Sequence, residues 1–219
     1  MRNSQRKKLY AGIFLLILFV LWTVAIKFID VKAIGPQDSL VGFATVNQFV
    51  HNLTGVNMSL YNITDWLSGV PVLFVVFFAS VGLIQLVKRK SILKVNRNIV
   101  ILGFFYAVVF AVYMFFEFAV INYRPVLIDG VLEASYPSST TMLVMCIMPT
   151  VILQLNNRIK NMTVKILVFI SVILYILFMV FGRLISGVHW SSDIIGGVII
   201  SSALVLIYSY FSKLNFSER

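Results

Sequence analysis

The sequence predicts an all-α protein, a bundle of six transmembrane helices with both chain ends in the cytoplasm. Three observations lead there. Of 219 residues, 60% are hydrophobic and 12% charged, with a mean hydropathy of +0.96. A soluble domain carries about 25% charged residues to cover its surface. Six apolar runs each approach the roughly 20 residues that span a hydrocarbon layer about 30 Å thick. Finally, the density of Lys and Arg alternates from one inter-run segment to the next.

The runs cover residues 9–26, 70–87, 99–121, 139–155, 164–181 and 194–211. The first follows Arg2, Arg6, Lys7 and Lys8, as a secretory signal would. Its apolar stretch is long for such a signal and no small-residue cleavage site follows, so it reads as a retained helix. The amino-terminal end, the segments 88–98 and 156–165 and the tail hold 14 of the 18 basic residues. The opposite side holds Lys27, Lys32, Arg124 and Arg183, with Asp30, Asp38, Asp65, Asp129, Glu133 and Asp193. Cytoplasmic loops are the positive ones, which places both termini inside. The net charge of +10 is thus a topology signal with attraction to anionic lipid heads, and not a nucleic-acid footprint.

The chain reads as one domain, 1–219, without repeats. The segment 41–67 mixes Phe43, Val46, Phe49, Val50, Leu53, Leu60 and Trp66 at helical spacing, as one or two short interfacial helices would. Within it, Asn52-Leu53-Thr54 and Asn62-Ile63-Thr64 match the short glycosylation pattern. The lone Cys146 excludes an internal disulfide. His51 and His189 are the whole imidazole inventory, too few for a His/Cys zinc site, so neither metal nor cofactor is expected.

Three polar stretches fall on the outer face of this topology. One is Glu117 with Asn122-Tyr123-Arg124-Pro125. The second, Tyr136-Pro137-Ser138-Ser139-Thr140-Thr141, opens the fourth helix. The third is Gly182-Arg183, then Ser186-Gly187-Val188-His189 and Asp193. Singly, each has a plain reading: a snorkelling arginine, a helix cap, a surface His–Asp pair. Together they suit a phosphate. Arginine offers a planar fork of donors, and a helix start offers free N–H groups at the positive end of its dipole. His189 and Asp193 are four residues apart and share a helix face, so Asp193 is expected to take a proton from one imidazole nitrogen and free the other to attack phosphorus.

These residues resemble the type 2 phosphatidic acid phosphatase (PAP2) superfamily of integral-membrane lipid phosphatases, related to vanadium haloperoxidases. Arg124-Pro125, Pro137-Ser138, and Arg183, His189 and Asp193 match its three motifs in order and spacing, over about residues 104–219. The resemblance implies that His189 is the nucleophile of a phosphohistidine mechanism and Asp193 its orienter. It implies that Arg124, Arg183 and the amides near Ser138 and Ser139 hold the phosphoryl oxygens. Three positions depart: Glu117 stands at the family's lysine, Thr140 at the histidine that protonates the leaving group, and Gly182 at its first serine.

A threonine is no general acid near neutral pH. The reading is therefore a phosphatase of lipid phosphates or, with their more acidic leaving group, polyprenyl diphosphates. The alternatives are a lipid-phosphate-binding protein without turnover and a phospho-head-group transferase. His51 is the candidate substitute acid if the interfacial segment folds over the site. A transporter is disfavoured because the polar residues sit at helix ends and not at mid-membrane. Sparse loops and cysteine usage point to a bacterial inner membrane.

Overall fold

The structure, a computed structural model, describes residues 2–156 and 158–213. Arg219, counted with the basic tail, lies outside the described residues. Among the described residues there are eight α-helices: α1 (Arg2–Phe28), α2 (Ala44–Thr54), α3 (Met58–Leu67), α4 (Gly69–Arg89), α5 (Arg97–Phe118), α6 (Ser139–Leu155), α7 (Met162–Ile185) and α8 (Ser191–Lys213). Each of the six apolar runs lies largely within one long helix, and the segment before α4 divides into the short pair α2 and α3. Between α1 and α2, Lys32–Ala33 pairs with Leu40–Val41 in a small antiparallel ladder.

Among the described residues, five apolar stretches are long enough to cross a bilayer: Gln5–Phe28, Met58–Arg89, Arg97–Phe118, Met162–Ile185 and Ser191–Lys213. The helix α6, at 17 residues, is shorter. Its length suits its position: it packs against α8, α7, α4 and α5, and Met142, Val144, Cys146, Ile147, Met148 and Val151 are all buried. The helix α8 joins it at the centre, packing against α1, α5 and α6.

The peripheral helices are apolar on the outside. Phe14 and Leu21 on α1, Leu73 on α4, Phe104 and Phe110 on α5, and Leu174 and Phe181 on α7 are all exposed. Water would not tolerate an apolar surface this extensive, and lipid requires it. The protein is a multi-pass membrane protein.

Glycines let the central elements meet. A Cβ on Gly196 would stand 2.4 Å from the Tyr136 ring, so this glycine admits the residue that leads into α6. Gly187, at φ +67°, has its missing Cβ position 1.8 Å from the Gly55 carbonyl oxygen. There the α7–α8 turn touches the α2–α3 turn, and Asn57 N–H donates to the Ser186 carbonyl at 2.9 Å.

Candidate active site

The loop 119–138 between α5 and α6 carries half the site. It folds as an irregular hairpin: Arg124 N–H donates to the Glu133 carbonyl at 3.1 Å and Ser135 N–H to the Asn122 carbonyl at 2.9 Å. Asp129-Gly130 turns its tip, both with positive φ (50° and 77°). The pairing sets Asn122, Arg124, Glu133 and Ser135 on adjacent strands beside the α7–α8 turn.

From that turn comes His189, 3% exposed. Its Nδ1 lies 3.0 Å from Ser135 Oγ and 3.2 Å from the Ser135 carbonyl oxygen. Ser135 Oγ donates its proton to Asp193 Oδ2 at 2.5 Å. Both oxygens near Nδ1 therefore present lone pairs, which assigns the imidazole proton to Nδ1 and leaves a lone pair on Nε2. Nε2 is buried and has no hydrogen-bond partner among the described residues. Burial first, then the charges of Arg124 and Arg183, hold the imidazole well below its ordinary value of 6.5, so it stays neutral.

The sequence expectation put Asp193 directly on the imidazole; the structure puts Ser135 between them. Asp193 is otherwise engaged: Oδ2 also accepts from Trp190 N–H at 3.1 Å, and Oδ1 accepts from Asn122 Nδ2 at 3.0 Å. The carboxylate thus caps the start of α8 while backing the hydroxyl.

Arg183 is 1% exposed. Its Nη2 donates to Thr140 Oγ1 at 2.6 Å and to Asp65 Oδ1 at 3.0 Å. Arg124 Nε lies 3.0 Å from Glu133 Oε2, an ion pair whose angle falls short of a hydrogen bond, and its Nη1 is buried without a hydrogen-bond partner among the described residues. The Tyr61 ring packs against both guanidinium groups, 4.6 Å from Arg183 Cζ and 5.8 Å from Arg124 Cζ. Both arginines border a cavity of about 390 Å³ with Asp65, Ser139 and Thr140 at its polar end. Val72, Val75, Val109, Phe110, Leu143 and Ile147 form its apolar flank between α4, α5 and α6.

The PAP2 superfamily model matches residues 107–217, half of the chain. The chain belongs to the PAP2 superfamily. Its fold is similar to the crystal structure of the first transmembrane PAP2 type phosphatidylglycerolphosphate phosphatase from Bacillus subtilis. The TM-score is 0.63 at 15% identity, over 92% of this chain and 94% of that one. No curated protein sequence matches.

The PAP2 departures have local explanations. A Cβ on Gly182 would stand 2.8 Å from the Thr64 methyl, so the close approach of α3 to α7 favours glycine there. Thr140 has become an acceptor for Arg183. Glu117 borders a narrow void with His189, Ser139 and Tyr113.

Ser138 departs from expectation too. Its hydroxyl faces its own helix, accepting from Thr141 N–H at 3.4 Å, and its amide donates to the Asp193 carbonyl at 3.1 Å. It is fully buried and its amide is not free for an anion, whereas Ser139 borders both the cavity and the void. The His51 ring lies tilted against Trp190, centroids 5.5 Å apart and planes 55° from parallel, and does not border either space.

Sequence reading missed Ser135, Asn122's role, Asp65 and Tyr61. The Asp129-Gly130 dipeptide is a hairpin signal that pairs Asn122 with Ser135. Nothing in the sequence pairs α3 with α7. Among the described residues no group of three or more His, Cys, Asp or Glu side chains converges as a metal site would.

Proposed function

We propose that this protein is a membrane lipid phosphate or diphosphate phosphatase that works through a phosphohistidine at the outer membrane face. The observation that carries the reading is His189 Nε2: buried, unpartnered, with its tautomer set by Ser135 and two guanidinium groups nearby. The Nε2 lone pair attacks phosphorus as the bond from phosphorus to the leaving oxygen breaks. Arg124 and Arg183 take up the charge of the phosphoryl oxygens, and the Nδ1 proton stays on the Ser135 side. Water then attacks phosphorus, the N–P bond breaks, and phosphate leaves.

The cavity supports a lipid substrate. It shares Val75 and Tyr106 with an apolar trough of about 480 Å³ that continues to Leu86 and Ile99 between α4 and α5. From Tyr113 to Ile99 the helix rises by roughly 21 Å, enough to lie along much of an acyl or prenyl chain.

General acid catalysis is typically worth about 10²–10⁴-fold, and Thr140, bonded to Arg183, supplies none. Rate should then follow leaving-group acidity, which favours a polyprenyl diphosphate over phosphatidate. The same threonine favours one second reading, a lipid-phosphate-binding protein without turnover. A head-group transferase would use the same phosphohistidine with a lipid acceptor in place of water.

One assay separates these readings: phosphate release by the purified protein from lipid mono- and diphosphates, beside His189→Ala, with and without chelator. The phosphatase reading expects chelator-insensitive release that the substitution abolishes. Binding with no release in either protein would leave the binding reading. Phosphorylated acceptor lipid would identify the transferase.

A further inference from the structure

Helix α2 reaches the start of α8 through one side chain. Val46, Phe49 and Leu53 of α2 are exposed, whereas Asn47 is 1% exposed and uses every hydrogen-bonding position of its amide. Nδ2 donates to the Gly42 carbonyl at 2.8 Å and to Ser192 Oγ at 2.9 Å. Oδ1 accepts from Ser192 N–H at 3.1 Å and from Ser191 Oγ at 2.8 Å. A carbonyl must accept and a backbone N–H must donate, so these contacts fix which end of the amide is oxygen. The oxygen satisfies a free N–H in the first turn of α8, a cap supplied from another helix.

The donor end reaches further. Ser192 Oγ accepts from Asn47 and, at 3.5 Å, from Asn122 Nδ2, so its own proton goes to Asp193 Oδ1 at 3.4 Å. Asp193 then has donors on both oxygens: Ser192 and Asn122 on Oδ1, Ser135 and Trp190 N–H on Oδ2. Donors on both sides keep the carboxylate from rotating away from Ser135. A Ser192 proton turned the other way would set lone pairs of Oγ and Oδ1 face to face. Asp193 would swing, Ser135 would turn its proton to His189 Nδ1, and the imidazole proton would move to Nε2.

We propose that Asn47 is a positioning residue for phosphoryl transfer: it directs the Ser192 hydroxyl onto Asp193, which holds Ser135 on the carboxylate and keeps the His189 Nε2 lone pair free. The inference rests on the phosphatase reading of the same site and adds α2 to the parts that serve it.

Asn47→Asp is the discriminating substitution. It keeps the acceptor for Ser192 N–H and Ser191, and so the cap, but takes the Ser192 proton where the amide donated one. Asn47 borders neither the lipid cavity nor the narrow void, so kcat should fall at unchanged KM. The expected loss is about tenfold, the scale of one hydrogen bond to a charged group. Ser192→Ala removes the misdirected oxygen and should cost about threefold. The double variant is expected to match Ser192→Ala alone. A residue that merely holds α2 against α8 would lower kcat by the same factor in both backgrounds. That result, or a loss carried by KM, would overturn the proposal.

A second readout needs no turnover. The chain has two histidines, so NMR of isotope-labelled imidazole, with His189→Ala to assign the signals, reads the His189 tautomer directly. The wild type should show the Nδ1–H form and Asn47→Asp should populate Nε2–H. Phosphate release by the wild type with an unchanged tautomer in Asn47→Asp would remove the positioning role alone. A changed tautomer with no release from any lipid would remove the phosphatase reading alone. Where Asn47→Asp does not fold, Ser192→Ala decides by itself: an unchanged kcat and tautomer there overturn the proposal.

Discussion

At Ser135 a single hydroxyl proton decides which imidazole nitrogen is free, because it goes to Asp193 Oδ2 at 2.5 Å and leaves only lone pairs around Nδ1. Ser135→Ala should therefore lower kcat by about 10- to 100-fold, as loss of an outer orienting partner does elsewhere. KM should change little, since the serine borders the narrow void and not the lipid cavity. Ser135→Thr, which restores the hydroxyl, should recover part of the loss; steady-state kinetics on one lipid checks both. The pH profile carries a second prediction. A histidine whose pKa is depressed in the fold stays neutral to lower pH, so the acid limb of kcat/KM should lie below 6.5. Of the causes of that depression, burial is the largest and the two arginine charges follow. Arg124→Gln should then move the limb upward, beyond its direct cost in phosphate binding. The same sign applies to stability: burying neutral His189 favours the fold above the imidazole's unfolded pKa, and that contribution fades as pH falls through the folded one.

The elements that carry these residues were legible to different degrees. Six apolar helices announce themselves through their apolar runs, and His189, Asp193 and Arg183 through spacing, because both signals are local. Ser135 and Asp65 were not legible as site residues. Their roles arise from contacts across the chain, Ser135 through the 119–138 hairpin and Asp65 through α3 packing on α7. The short α6 shows the same division: its sequence reads as a span, and only packing shows that it is surrounded by protein. The contact between the two turns is the most exacting of these junctions. Gly187→Ala would face both a left-handed backbone, costing about 1–2 kcal/mol, and a backbone oxygen 1.8 Å from the new carbon. Because His189 lies two residues on, the substitution should lower Tm in detergent and lower activity together. Gly182→Ser meets side chains alone, the Thr64 methyl at 2.8 Å and Leu60 Cδ1 at 3.8 Å, so its Tm loss should be smaller. Thermal denaturation followed by tryptophan fluorescence compares the two.

For the whole molecule, orientation decides whether the site meets lipid phosphates outside the cell or within it. The loop 119–138 and the α7–α8 turn share one end of the bundle with α2 and α3, as their mutual hydrogen bonds require. Lys88 and Arg89 close α4, Lys90 and Lys94 follow before α5, and Arg158 and Lys160 lie between α6 and α7, each a full helix from that end. Moving such positive loops across a membrane is opposed by the same bias that orients other membrane proteins, so we expect the site outside and both termini inside, with α6 completing six spans. The chain suits a direct test, because its only cysteine, Cys146, is buried in α6. In a Cys146→Ser background, Asp129→Cys at the hairpin tip should react with a membrane-impermeant maleimide in intact cells. Lys90→Cys and Lys160→Cys should react only after permeabilisation. Labelling at 90 or 160 without permeabilisation would reverse the orientation, and the substrate would then have to come from the cytoplasmic leaflet, although the arrangement of His189, Ser135 and the arginines would be unchanged. Labelling of 90 and 129 on the same side would instead break the span count itself, since α5 alone separates them.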